Sequence, residues 1–241
     1  MLLHDFKALT FDCYGTLIDW EAGLLTALAP LLAAAGPVRG PAEALEAFAR
    51  LETAQQTRTP QLRYPEVLAA VHRSLAAEWG VALGEEAHLA FGRSVPLWPA
   101  FPDSAPALKY LQGHYKLVSL SNVDRACFAA SSARLGVTFD AICTAEDIGS
   151  YKPDARNFRY LIAQLGRLGV RPQEILHTAQ SLYHDHAPAQ AAGLASAWID
   201  RPRALGGSGA TRAPAAQPHF DFRFDSLAAF VRAHEAEAQR R

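Results

Sequence analysis

Asp12 closes the short apolar run KALTFD (7–12) and is followed by Gly15 and Thr16 in the stretch LTFDCYGTLIDWE. Further along, Ser121 and Asn122 close YKLVSLSN, Lys152 stands in YKPD, and Asp185 lies in AQSLYHDHAPAQAAG. A carboxylate can attack an electrophilic centre to give either an aspartyl phosphate or an alkyl ester. Such a nucleophile needs a nearby cation, which a lysine supplies as a point charge. Hydroxyl and amide donors can hold an anionic substrate group or leaving group, and a second carboxylate can position water. Taken singly, each residue has a plainer reading: strand-end Asp and Ser commonly cap turns and helices, and most lysines are exposed. Their order is what sets them apart, since each follows an apolar, strand-like run.

Those runs are the elements that must position the chemistry. KALTFD reads as a strand buried on both faces. Similar runs recur at 115–122, 139–147 (FDAICTAED), 174–180 (EILHTAQ) and 196–201 (SAWIDR), with HFDFRF (219–224) as one more. Helical patterns fill the intervals, and strand alternating with helix predicts an α/β protein with a parallel, doubly wound sheet. Ligands of such sheets bind at the carboxyl ends of the strands, near the point where strand order reverses. Residues 19–95 differ: ALEAFARLETAQQ, YPEVLAAVHRSLAAEWG and EEAHLAFGRSV repeat apolar residues every three or four positions with no strand between them. This predicts a helical cap at 19–95 inserted into a core made of 1–18 and 96–241. RALGGSGATRAPAAQP (203–218) reads as a surface loop, and SLAAFVRAHEAEAQRR as a terminal helix.

Composition narrows the partners. With a formal net charge of −1 over 241 residues, the chain lacks the basic footprint of a nucleic-acid or anionic-membrane binder. Three cysteines, Cys13, Cys127 and Cys143, are odd in number and show no CxxC spacing, so neither a disulfide framework nor a zinc site is expected. That fits a cytoplasmic location. No apolar stretch approaches the roughly 18 residues of a membrane span, and Asp5 and Lys7 interrupt the first run, which argues against a signal peptide. A small-molecule substrate is the expected partner.

The ordered set resembles the haloacid dehalogenase superfamily over nearly the whole chain. Asp12 in DxYGT matches the nucleophile, Ser121 the second motif, Lys152 the third, and the segment around Asp185 the fourth. The resemblance implies a Rossmann-like core with a cap inserted after the first strand. Phosphatases of that superfamily carry a second Asp two residues after the nucleophile, which protonates the departing alkoxide; here that position is Tyr14. A phenol with an ordinary pKa near ~10 is a poor proton donor at neutral pH, whereas a halide leaves as the bare anion and needs none. The first acid of the phosphatase fourth motif is replaced by Gln180, which removes a charge that magnesium would want. The combination is similar to the type II, L-2-haloacid branch, which implies cleavage of 2-haloacids without metal or other cofactor. Many relatives form homodimers, though composition shows none here. The alternatives are a magnesium-dependent phosphatase or phosphonate-type hydrolase of the same superfamily, or a non-catalytic member that binds a small anion.

By the same resemblance, Asp12 displaces halide from the α-carbon, Lys152 balances its charge, and Asp185 positions the water that hydrolyses the ester, with His184 or His186 as alternatives. Ser121, Asn122 and Thr16 are expected to hold the substrate carboxylate or halide. Because ring edges carry partial positive charge, Tyr14, Trp20 and Trp98 are candidate walls of the halide pocket, with Trp98 equally suited to anchor the return from cap to core. Arg50, Arg58 and Arg63 are all candidates for a substrate-facing cap arginine; spacing does not choose among them, and Arg50, which lies on a helical pattern, stands as the candidate. The sequence departs from that branch at Leu182, where an Asn is usual, and at Phe158, where an aromatic hydroxyl is usual.

Overall fold

The structure is a computed structural model and describes residues 1–36, 39–201 and 214–240. Six strands form one parallel sheet: β1 (Ala8–Phe11), β2 (Lys116–Ser121), β3 (Ala141–Thr144), β4 (Ile175–Ala179), β5 (Ala195–Ile199) and β6 (Phe222–Phe224). Their spatial order is β3-β2-β1-β4-β5-β6, the Rossmann-like arrangement with its reversal between β1 and β4. Every pairing is parallel.

Burial explains the apolar runs. All four residues of β1 and all five of β4 are buried, because helices cover both faces. Side chains alternate between the faces with the period of two. Ala8, Val118, Leu120 and Ile175 pack with Phe158, Leu161 and Leu165 of α8 (Ala155–Arg167). Leu9, Phe11 and Leu117 join the larger core on the opposite face, with Leu108 of α5 (Ser104–Leu111), Phe128 of α6 (Arg125–Leu135) and Phe230 of α10 (Leu227–Ala238).

FDAICTAED is a strand only to Thr144. The Thr144 hydroxyl accepts from the Asp147 N–H, and the Asp147 carboxylate accepts from the Thr144 N–H. That capping box starts a short helix, α7 (Ala145–Ile148). Residues 203–213 of the Gly- and Ala-rich stretch lie outside the described residues, and 214–218 run without regular structure.

Between β1 and α5 the described residues form four α-helices: α1 (Trp20–Ala35), α2 (Pro41–Arg58), α3 (Tyr64–Glu78) and α4 (Glu85–Gly92). The outgoing and returning segments run side by side, with Asp19 N–H on Pro99 O at 2.8 Å and Phe101 N–H on Leu17 O at 3.1 Å. Two positions need glycine here. Gly15 turns the chain after β1 at φ 92°, a conformation open to glycine at little cost. Gly23 lets α1 lie against Trp98, where a Cβ would sit 2.4 Å from the indole. No helix among the described residues is long and apolar enough to cross a membrane.

Candidate active site

Asp12, just past β1, is nearly fully buried and held by two donors: Lys152 Nζ to Oδ1 at 2.9 Å and Thr16 Oγ1 to Oδ2 at 2.7 Å. Lys152 spends all three ammonium hydrogens on Asp12, Asp185 Oδ1 (2.7 Å) and Leu120 O (2.9 Å). Its main chain is fixed as well, because the Asn122 side-chain amide accepts from Lys152 N–H at 2.6 Å and donates to Lys152 O at 3.1 Å. Asp185 belongs to a π-helical turn (Leu182–His186) after β4, a local widening frequent at functional sites. Oδ1 of Asp185 also meets His177 Nε2 at 3.0 Å, and His177 Nδ1 meets Thr10 Oγ1 at 2.8 Å. Sheet register sets that last pair, since Thr10 lies opposite His177 on β1 and β4.

Two buried carboxylates share one ammonium, so their ionisation differs. Burial raises the Asp185 carboxyl, but the Lys152 charge and the His177 hydrogen bond outweigh it and hold it well below the usual range. Asp12 lies above its usual value because burial, with the Asp185 charge added, outweighs Lys152 and Thr16. Burial depresses Lys152, yet the two carboxylates carry it above the ordinary lysine value. Asp185 Oδ2 is buried with no protein partner among the described residues, as is Ser121 Oγ.

Above this floor lies a narrow cavity, with about 70 Å³ open to water-sized molecules. Its base includes Asp12, Asn122, Lys152 and Asp185; Ser181 and His184 form one side, and Trp20 of α1, Glu52, Thr53 and Gln56 of α2, and Tyr64 of α3 close it from above. The Tyr14 ring lines the cavity, while its hydroxyl points into α6, 2.8 Å from Ser131 Oγ. Burial pushes that phenol well above its ordinary value, which makes it a still poorer acid.

The sequence-expected residues therefore separate. Asp12, Tyr14, Asn122, Lys152, His184 and Asp185 line one cavity. Thr16 does not face it: its hydroxyl donates to Asp12 and accepts from Gln180 N–H at 2.9 Å, so it positions the carboxylate. Ser121 is buried at the end of β2, outside the cavity wall. Arg50 is the clear correction. Its guanidinium pairs with Glu78 on the outside of the protein, with 57% of the side chain exposed. Arg50 follows Ala49, a cavity residue, and one helical step of about 100° turns it outward. Arg63 is also outside, against Glu146, and no arginine lines the cavity among the described residues. Trp98 is buried edge-on to Tyr14, with centroids 5.6 Å apart, at the return into the core rather than in the cavity wall. His186 is buried between Ser196 Oγ and Ala179 O, both at 2.9 Å.

Sequence reasoning missed His177, whose signal was a polar side chain within a buried strand, and the roof of the cavity. Ala49, Glu52, Thr53 and Gln56 recur at i, i+3, i+4 and i+7, one face of α2. Three polar residues on a face turned toward the core are a cavity signature, provided the orientation of the helix is known.

The donors present do not fit a divalent cation well. Gln180 and Tyr14 stand where acids would supply charge, Lys152 already bridges Asp12 and Asp185, and no group of three His, Cys, Asp or Glu among the described residues could hold a metal ion.

Comparison with known proteins agrees with this architecture. The chain is 25% identical over 194 residues, 76% of its own length and 78% of the relative's, to (S)-2-haloacid dehalogenase 4A of Burkholderia cepacia. It superposes on the crystal structure of an L-2-haloacid dehalogenase with a TM-score of 0.77 at 25% identity, covering 97% of this chain and 99% of the other. The L-2-haloacid dehalogenase of Xanthobacter autotrophicus, solved with chloropropionic acid covalently bound, shares the fold at TM-score 0.76 and 21% identity, over 94% of this chain and 97% of that one. The family model of haloacid dehalogenase-like hydrolases matches residues 6–193, and the chain belongs to that family.

Proposed function

We propose that the protein hydrolyses small 2-haloacids to 2-hydroxyacids through an ester on Asp12. The observation that carries this reading is an Asp12 held between Lys152 and Thr16 with no acid two residues further on, where Tyr14 stands and turns its hydroxyl to Ser131. A carboxylate oxygen of Asp12 attacks the α-carbon, the carbon–halogen bond breaks, and the halide leaves with the bonding electrons, so the first step moves no proton. Water then attacks the carbonyl carbon of the Asp12 ester and the acyl–oxygen bond breaks; one water proton passes to the departing alkoxide to give the hydroxyacid, the other goes to solvent, and Asp12 returns as the carboxylate. Asp185 is the group that positions this water, and its unpartnered Oδ2 is available for that hydrogen bond. Because Asp185 is held well below the usual carboxylate range by Lys152 and His177, it orients more than it accepts a proton. In this reading residues 19–95 are the cap and the remainder the core. The small cavity suits a substrate of few heavy atoms, and the likeness to (S)-2-haloacid dehalogenase 4A supports the substrate class.

Halide release from 2-chloropropionate should persist undiminished in excess EDTA. Release that is abolished by EDTA and restored by magnesium would contradict the reading.

A further inference from the structure

The roof of the cavity carries an acid where an anionic substrate would need a cation. Glu52 lines the cavity, its Oε1 accepts from Tyr64 Oη at 2.6 Å, and that hydroxyl is its sole hydrogen-bond partner among the described residues. The cavity's cation, Lys152, is already spent on Asp12, Asp185 and Leu120 O. With Glu52 ionised, a substrate carboxylate would enter a space holding three carboxylates and one ammonium. Like charges in a low-dielectric cavity repel strongly, so the ionic state of Glu52 decides which substrates enter.

We propose, building on the dehalogenase reading, that Glu52 is the specificity-determining residue for the substrate's polar end. Protonated, it donates a hydrogen bond to a carboxylate. Ionised, it repels a carboxylate and accepts a hydrogen bond from an uncharged carboxamide at the same place. Geometry supports both states, because Tyr64 occupies one oxygen and leaves the other for the ligand. Burial pushes the Glu52 carboxyl up to about 7, with the Tyr64 hydrogen bond opposing, so both states are populated near neutrality.

Other titratable groups face the same space. Tyr64 on α3 and Tyr14 after β1 line it, and Tyr151 lies next to it with its hydroxyl on Leu62 O; all three are phenols that burial raises further above the neutral range. On the floor, Asp12, Lys152 and Asp185 form the ion cluster, and His184 lies at the side. A histidine also titrates near neutrality in general, so the test must separate it from Glu52.

Lactate and lactamide, the acid and amide of one product skeleton, serve as probes in calorimetric binding to the wild-type protein across a pH series from 6 to 8.5. Lactate stays ionised throughout. Its affinity should fall with a midpoint near 7, by about 30-fold for a site that takes only the neutral acid, while lactamide should not weaken. Glu52→Gln, which keeps the volume and the Tyr64 contact, should flatten the lactate profile, and Tyr64→Phe should move its midpoint upward. Lactate binding independent of pH, a fall that survives in Glu52→Gln, or binding of neither probe would overturn the proposal. Halide release from 2-chloropropionate and 2-chloropropionamide is measured alongside. Absence of halide from both would sink the dehalogenase reading while the binding profiles still decide the role of Glu52, and halide release with a flat lactate profile would do the reverse.

Discussion

Lys152→Met is expected to abolish turnover and to lower stability at pH 7 by about 3–5 kcal/mol, the usual cost of stranding buried charge by removing its partner. The ammonium is almost wholly buried and serves both Asp12 and Asp185. Methionine fills similar space and leaves two carboxylates facing each other in low dielectric. The sign with pH is distinctive. In the wild type, Asp185 is depressed by Lys152 and His177, so it contributes stability that is present above the unfolded carboxylate pKa and lost as pH falls. In the variant, both carboxyls rise above their unfolded values. Their neutral forms then stabilise the fold at low pH, and that stability is lost as pH climbs through the raised values. The gap between variant and wild type in urea unfolding should narrow from pH 7 to pH 4; a constant gap would mean the lysine acts through packing rather than charge.

Asp12→Asn is expected to cost on the order of 10⁴-fold or more in kcat, as removal of a covalent nucleophile does, while the protein stays folded. Asparagine keeps one acceptor, its Oδ1, for Lys152, and turns its amide NH2 toward Thr16 Oγ1, which can accept; Lys152 retains Asp185. Thermal unfolding should shift by only a few degrees, and normal turnover in this variant would remove Asp12 from the chemistry. A lag followed by recovered activity would signal deamidation to Asp, so Asp12→Ala serves as the companion variant.

How much of this was legible in the sequence follows from what each pattern encodes. A buried parallel strand must be apolar on both faces, so the runs ending near 12, 121 and 179 announced themselves, and the polar residues beyond them fell at the carboxyl edge of the sheet. Asp12, Lys152 and Asp185 were legible because strand ends converge by topology. His177 was not, since its role depends on facing Thr10 across two strands 167 residues apart. Arg50 was misassigned and Glu52 overlooked for one reason: helical periodicity defines faces, and only tertiary packing says which face of α2 meets the cavity. Thr16 and Asn122 were recognised as polar site residues, but their hydrogen bonds go to Asp12 and to the Lys152 main chain rather than outward.

The central claim is that Asp12 itself becomes esterified and that water attacks its carbonyl. Single-turnover hydrolysis of 2-chloropropionate in ¹⁸O-labelled water, with enzyme in excess, tests it most directly. The heavy oxygen should appear in the peptide containing Asp12 while the first lactate formed carries none. Label found in that first lactate, with an unlabelled Asp12 peptide, would mean that water struck the α-carbon directly, and the covalent mechanism would be contradicted.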